Sequence, residues 1–275
     1  MQRENAVIPK NPHHLYPVDT FSPLKVRAFM FKRILFALAI FSICMWAEAQ
    51  TSQQNPGDRT DQMKPIRHIG IFVSPYYQSA QTPEGYPVVN VAKAFDNQLA
   101  SNKREDILAV RDAIQAQPQL VTPMTLMVLA IRLYDVGFRD DAVFWFYVAK
   151  NRYLAMAGVL DVKSPSLAQV EDTIRNFAIL AGPFFNSYAF CDLSKQREAN
   201  LNSITWIEQH PYEAMYMAQL PALPGDRAEN LKKSIADIKA RARKEAQYFD
   251  DPKNLDEFNR KRKENHVPEQ FCWVQ

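Results

Sequence analysis

From about residue 102 to residue 265, apolar residues recur at spacings of three and four, the period of one face of an α-helix. Breaks in that period coincide with residues that cap or stop helices. Asn102 with Glu105 reads as an N-cap with an acidic third position, before Ile107, Leu108 and Ile114. Thr122 reads as a cap with Pro123 at the first helical position, and Gly137 as the left-handed residue just past the end. Asp140 and Asp141 open a helix that stops at Gly158. Ser164-Pro165 opens another, whose buried face is Leu167, Val170, Ile174, Phe177 and Ala181, with Gly182-Pro183 as its stop. Residues 194–209 follow, with Leu201, Ile204 and Ile207 inward, then a short helix from Pro211 to about Leu220. Asp226 to Phe249 carries a narrow stripe of Leu231, Ile235, Ile238, Ala242 and Phe249, and 253–265 reads as a last helix. The pattern predicts an all-α fold, a bundle or array of antiparallel helical hairpins with about seven or eight helices. Only Ile69–Val73 reads as β, so at most one or two short strands are expected near 69–73.

The segment before residue 66 has a different pattern. Met30-Phe-Lys-Arg33, the apolar run Ile34–Ala47 and Ala47-Glu-Ala49 have the layout of a secretory signal peptide cut after Ala49. The run is shorter than the roughly 20 residues that a spanning helix needs, so no stable membrane span is expected after cleavage. Residues 1–29 are polar and proline-rich and read as an extension ahead of the true start at Met30, 50–65 as a flexible linker, and 66–275 as a single helical domain. This places the protein outside the cytoplasm, periplasmic or secreted. Residues 1–49 hold six basic and three acidic residues, so the whole chain's net +3 becomes zero after the cut. A neutral mature chain gives no global attraction for nucleic acid.

Export changes the reading of the cysteines. Cys191 and Cys272 remain in the mature part, and an even count in an oxidising compartment predicts a disulfide. Closing a loop of about 80 residues would add roughly 4 kcal/mol by chain entropy.

Candidate chemistry is sparse. There are only 7 glycines in 275 residues, which argues against phosphate-cradling loops and dinucleotide fingerprints, and no cofactor is expected. His68, His210 and His266 are far apart, with no zinc spacing and no calcium loop, so no metal site is expected. No Gly-x-Ser-x-Gly appears. His210-Pro-Tyr-Glu213 offers an imidazole and a carboxylate that can be an acid/base pair or the capping of a helix start. Phe144-Trp-Phe-Tyr147 puts aromatics on every face of one helix, which is either central or covered by a partner, with Trp145 and Tyr147 as anchors in the second case. Lys232, Lys233 and Arg243 lie in a basic run, but residues 226–275 hold 12 basic and 10 acidic groups, which favours a solvated face over an acidic-partner site.

Leu129, Ala130, Gly137, Ala142, Phe146 and Ala149 have the spacing of the tetratricopeptide consensus, and residues 126–156 resemble one such helical hairpin. Leu154 stands where that family has proline, and no second copy lies 34 residues away on either side. The resemblance implies a close-packed hairpin and leans toward protein binding. The expectation is an exported helical protein that binds another protein, of inhibitor, immunity or envelope-assembly type. Its rival is an envelope hydrolase using dispersed carboxylates or His210.

Overall fold

A computed structural model describes residues 69–82 and 84–272, all within one compact unit. The leader, linker and extension expected before residue 66 lie outside the described residues. The class is all-α, as the periodicity predicts, with a few short strands; these number three among the described residues, where at most one or two near 69–73 are expected, because Tyr77–Gln78 and Val88–Val89 fold back to pair in one sheet with Phe72–Val73. Three two-residue strands, β1 (Phe72–Val73), β2 (Tyr77–Gln78) and β3 (Val88–Val89), form an antiparallel sheet in that order. Nine helices follow among the described residues: α1 (Asp96–Leu99), α2 (Arg104–Ala116), α3 (Pro123–Asp135), α4 (Arg139–Ala157), α5 (Ala168–Ala189), α6 (Leu193–Gln209), α7 (Arg227–Asp250), α8 (Pro252–Glu264) and α9 (Val267–Phe271).

The antiparallel pair α3 and α4 is the centre. Thr122 caps α3, accepting from the Thr125 N–H, and Pro123 is at its start. Gly137 turns the chain at φ +94°, while the Phe138 N–H reaches back to Leu133 O, which satisfies a carbonyl in the last turn of α3. Helix α4 touches α3, α5, α6 and α7. That explains its aromatic run: Trp145, Phe146 and Tyr147 are buried on different sides, because neighbours cover the helix all round. Trp145 meets Trp206 edge-on at 5.4 Å, Phe146 stacks on Phe185 at 4.6 Å, and Tyr147 accepts a hydrogen bond from Gln196. Trp145 and Tyr147 are therefore core residues and not surface anchors.

Several boundaries differ from the periodic reading, each for a local reason. The stop at Gly182-Pro183 is passed, and α5 runs on to Ala189. Pro183 cannot donate to the carbonyl four residues back, on Ile179, but Ile179 is exposed and water can take that place. The reward for continuing is burial of Phe185 and Ala189. Asn102 does not cap α2, which starts after Lys103; its side chain instead donates to Gly85 O at 2.7 Å and accepts from Arg132 at 2.8 Å. Leu201 is exposed, while Ile204 and Ile207 are buried as expected. After Pro211 only a short 3-10 helix forms, Glu213–Tyr216. Cys191 and Cys272 are disulfide-bonded, with Cα atoms 5.3 Å apart, which ties α9 to the turn between α5 and α6.

Candidate functional site

The small sheet is half-buried by design of its register. Val73, Tyr77 and Val89 are cross-strand neighbours and point into the core, where all three are buried. The opposite row is Phe72, Gln78 and Val88. Strand alternation sends this row outward, and Phe72 is 62% exposed and Val88 53%. Tyr86, two residues before Val88, is 71% exposed. Helix α5, against which β1 lies, carries the exposed Ile179.

Polar anchors hold this surface from beneath. Asp96 accepts from the Val91 and Ala92 N–H groups, both at 2.8 Å, and fixes the chain leaving β3. Asn90 donates to Pro75 O at 3.1 Å, bridging the turn between β1 and β2. Ser79 bonds the backbone of Ile69 and Ile71. Below lies a fully buried ion pair, Arg132 with Asp135, whose guanidinium also donates to Ser101 O and Asn102 Oδ1. Arg132 thus links α3 to the loop that carries Asn102, and Asn102 in turn holds Gly85. Burial pushes the Asp135 carboxyl up to about 7, against the downward pull of Arg132. Tyr77, also buried, is pushed well above its usual value by desolvation and by the Asp135 charge. The site is a rigid, solvent-facing apolar surface on a locked polar base. Such a surface can hold a protein partner.

The side chains of the catalytic candidates His210 and Glu213 have different surroundings. His210 is the C-cap of α6; its Nδ1 lies 2.9 Å from Trp206 O and its ring 4.8 Å from that indole. Glu213 is exposed at the first position of the 3-10 helix, and its N–H bonds to Gln119 O. Between α4 and this region lies a residue that the spacing did not single out, Arg152. It donates to Pro118 O, Val121 O and His210 O, and stacks on Trp206 and Tyr212. Desolvation lowers the Arg152 pKa to about 10. His210 serves here through its backbone, as an acceptor that keeps a buried cation in place. Asp192 caps α6, accepting from Ser194 and Lys195.

Lys232, Lys233 and Arg243 are exposed on α7. Lys232 and Arg243 share a face, and Lys233 lies about a quarter turn round. Lys232 pairs with Glu229 at 3.9 Å. Among the described residues no group of three or more acidic, histidine or cysteine side chains could hold a metal ion. None of the described helices is long and apolar enough to cross a membrane.

A protein of Haemophilus influenzae described as an uncharacterized protein is 36% identical over 210 residues, which cover 76% of this chain and 81% of that one. No family model matches the chain. No solved structure matches it.

Proposed function

The chain belongs to the same family as this Haemophilus influenzae protein, and we propose that it is an exported helical protein that binds another protein on the outer face of its small sheet. One observation carries the reading: Phe72 and Val88, which flank the half-buried Gln78 in one cross-strand row, and Tyr86, two residues before Val88, are large, apolar and exposed. Large apolar side chains held rigidly in water lose little conformational entropy on contact, so they favour binding over staying solvated. Export is supported by the Ile34–Ala47 run with its Ala47-Glu-Ala49 exit, and by the paired cysteines. The tetratricopeptide-like hairpin is then the scaffold, since its aromatic residues are spent on the core.

The test is a capture experiment from envelope extract under non-reducing conditions. The tagged protein is compared with a triple variant, Phe72→Ser, Tyr86→Ser, Val88→Ser, and with a charge-reversed Lys232→Glu, Lys233→Glu, Arg243→Glu variant. The expected result is a stoichiometric partner that the triple variant captures about tenfold less well or worse, with its circular dichroism unchanged. The charge-reversed variant should capture it normally. Loss of capture in the charge-reversed variant alone would move the site to α7 and sink the sheet-face reading.

A further inference from the structure

The Cys191–Cys272 bond has a buried cation behind it. Arg262 of α8 donates to Ser187 O at 2.9 Å, and the same nitrogen lies 3.5 Å from Cys191 Sγ and 3.4 Å from Cys272 Sγ. Phe258 lies 5.5 Å from its guanidinium. A buried guanidinium normally faces a carboxylate, because an uncompensated charge is costly to desolvate. Here the acceptors are one carbonyl and two sulfurs. Desolvation lowers the Arg262 pKa to about 10. Of the three acceptors that this guanidinium meets, those that can become anionic are the two sulfurs, once reduced. Cys191 is exposed, while Cys272 is half-buried.

The surrounding charges do not replace Arg262. On the α6 side, Asp192 is turned into the cap of that helix. On α8, Lys261 pairs with Glu257 at 2.9 Å. On α9, Glu269 is exposed, and His266 precedes that helix. From α5 the sulfurs meet the Ser187 carbonyl, 3.2 Å from Cys191 Sγ.

We propose that Cys191–Cys272 is a reducible thiol–disulfide exchange site for a dithiol reductant, with Arg262 as the positioning residue that holds the leaving sulfur as a thiolate. A reductant thiolate attacks the exposed Cys191 Sγ. A new bond forms between these two sulfurs, the Cys191–Cys272 bond breaks, and its electron pair stays on Cys272 Sγ beside Arg262. The reductant's second thiol loses its proton and attacks its own sulfur in the mixed disulfide. Cys191 leaves as a thiolate and takes up a proton, with Ser187 O already placed to accept from the thiol. The reductant is oxidised to its disulfide by two electrons and the protein pair is reduced by two. A lower pKa on the leaving thiol speeds exchange. The structural consequence is loss of the covalent tie on α9, which leaves that helix held by packing such as that of Phe271 against Phe184 of α5. This inference stands apart from the sheet-face reading and neither depends on the other.

The test uses the purified full chain reduced with dithiothreitol. The pH profile of iodoacetamide alkylation is read for Cys272 on its own peptide by mass spectrometry, and the rate of reduction is followed separately. Cys272 should titrate at least about one unit below the ~8.5 of a free thiol. Arg262→Gln should return it toward that value and slow reduction several-fold, while Arg262→Lys keeps most of the shift. A wild-type Cys272 titrating at ~8.5 or above overturns the proposal, as does equal reduction of wild type and Arg262→Gln. If Arg262→Gln does not fold, the wild-type profile and Arg262→Lys decide it.

Discussion

Arg152 and Arg132 both keep a guanidinium inside the protein, by different means. Arg152 is met by three backbone carbonyls and two aromatic rings, so its charge is spread over neutral acceptors. Arg132 is met by a carboxylate that is itself buried, and the pair carries opposing costs. Desolvation wins at Asp135, raising it to about 7 from its usual value near 4. The native state therefore binds a proton that the unfolded chain has already released between these values. The stabilisation from Asp135 is fully present below about pH 4 and is lost as pH rises through about 7. Urea unfolding of wild type between those limits should show stability falling with pH against the trend of the surface carboxylates. Asp135→Asn should flatten that slope. An identical slope in both proteins would mean that Asp135 does not titrate in this range.

At the scale of elements, close approach decides where glycine is needed. Helix α4 stops at Gly158, as expected, but Gly158 has a φ of −79°, an ordinary helical value, so no left-handed turn explains the glycine. Its role is contact: a Cβ there would run into both Oγ and Cβ of Ser234 on α7. The Ser234 hydroxyl also donates to Leu154 O at 3.1 Å, so the two helices are locked at this point. Gly158→Ala should cost about 1–3 kcal/mol by overpacking, measured by denaturant unfolding. Ser234→Ala leaves its Cβ in the way and should not repair it, whereas Ser234→Gly in the same chain should recover most of the loss. The neighbouring backbone pairs as well, with Leu223 donating to Val159 O and Asp161 donating to Pro221 O. The chain entering α7 is thus held to the end of α4 before the side chains meet.

At the scale of the molecule, the disulfide is a long-range covalent constraint, spanning a sequence separation of 81 residues. Chain entropy puts its contribution at up to about 4 kcal/mol for a loop of that size. Cys272→Ser and the reduced wild type should unfold at the same urea concentration, both below the oxidised protein. A Cys272→Ser protein as stable as the oxidised form would show that the C-terminal helices are held by packing alone. That packing is real: Phe190, Phe249 and Phe258 bring α7, α8 and the end of α5 together, with centroids 5.0–5.4 Å apart.

The residue order by itself determined the class of fold, the Thr122–Pro123 start, the Gly137 turn, the buried stripe of α7 and the pairing of two cysteines. These depend on local period, capping and count, which need no partner to be read. The tertiary structure alone decided which aromatic faces were covered. Trp145 and Tyr147 could be core or contact until α6 and its neighbours were seen to pack over them. It also decided that Pro183 does not end α5, because burial beyond it outweighs one missing hydrogen bond at an exposed carbonyl. The outward row of Phe72, Gln78 and Val88 was invisible in sequence: strands of two residues are too short to show alternation, and the row exists only through register across three of them. The same holds for Arg262, which comes to the two sulfurs from another helix. Contacts of that kind are set by how elements pack, and no spacing along the chain encodes them.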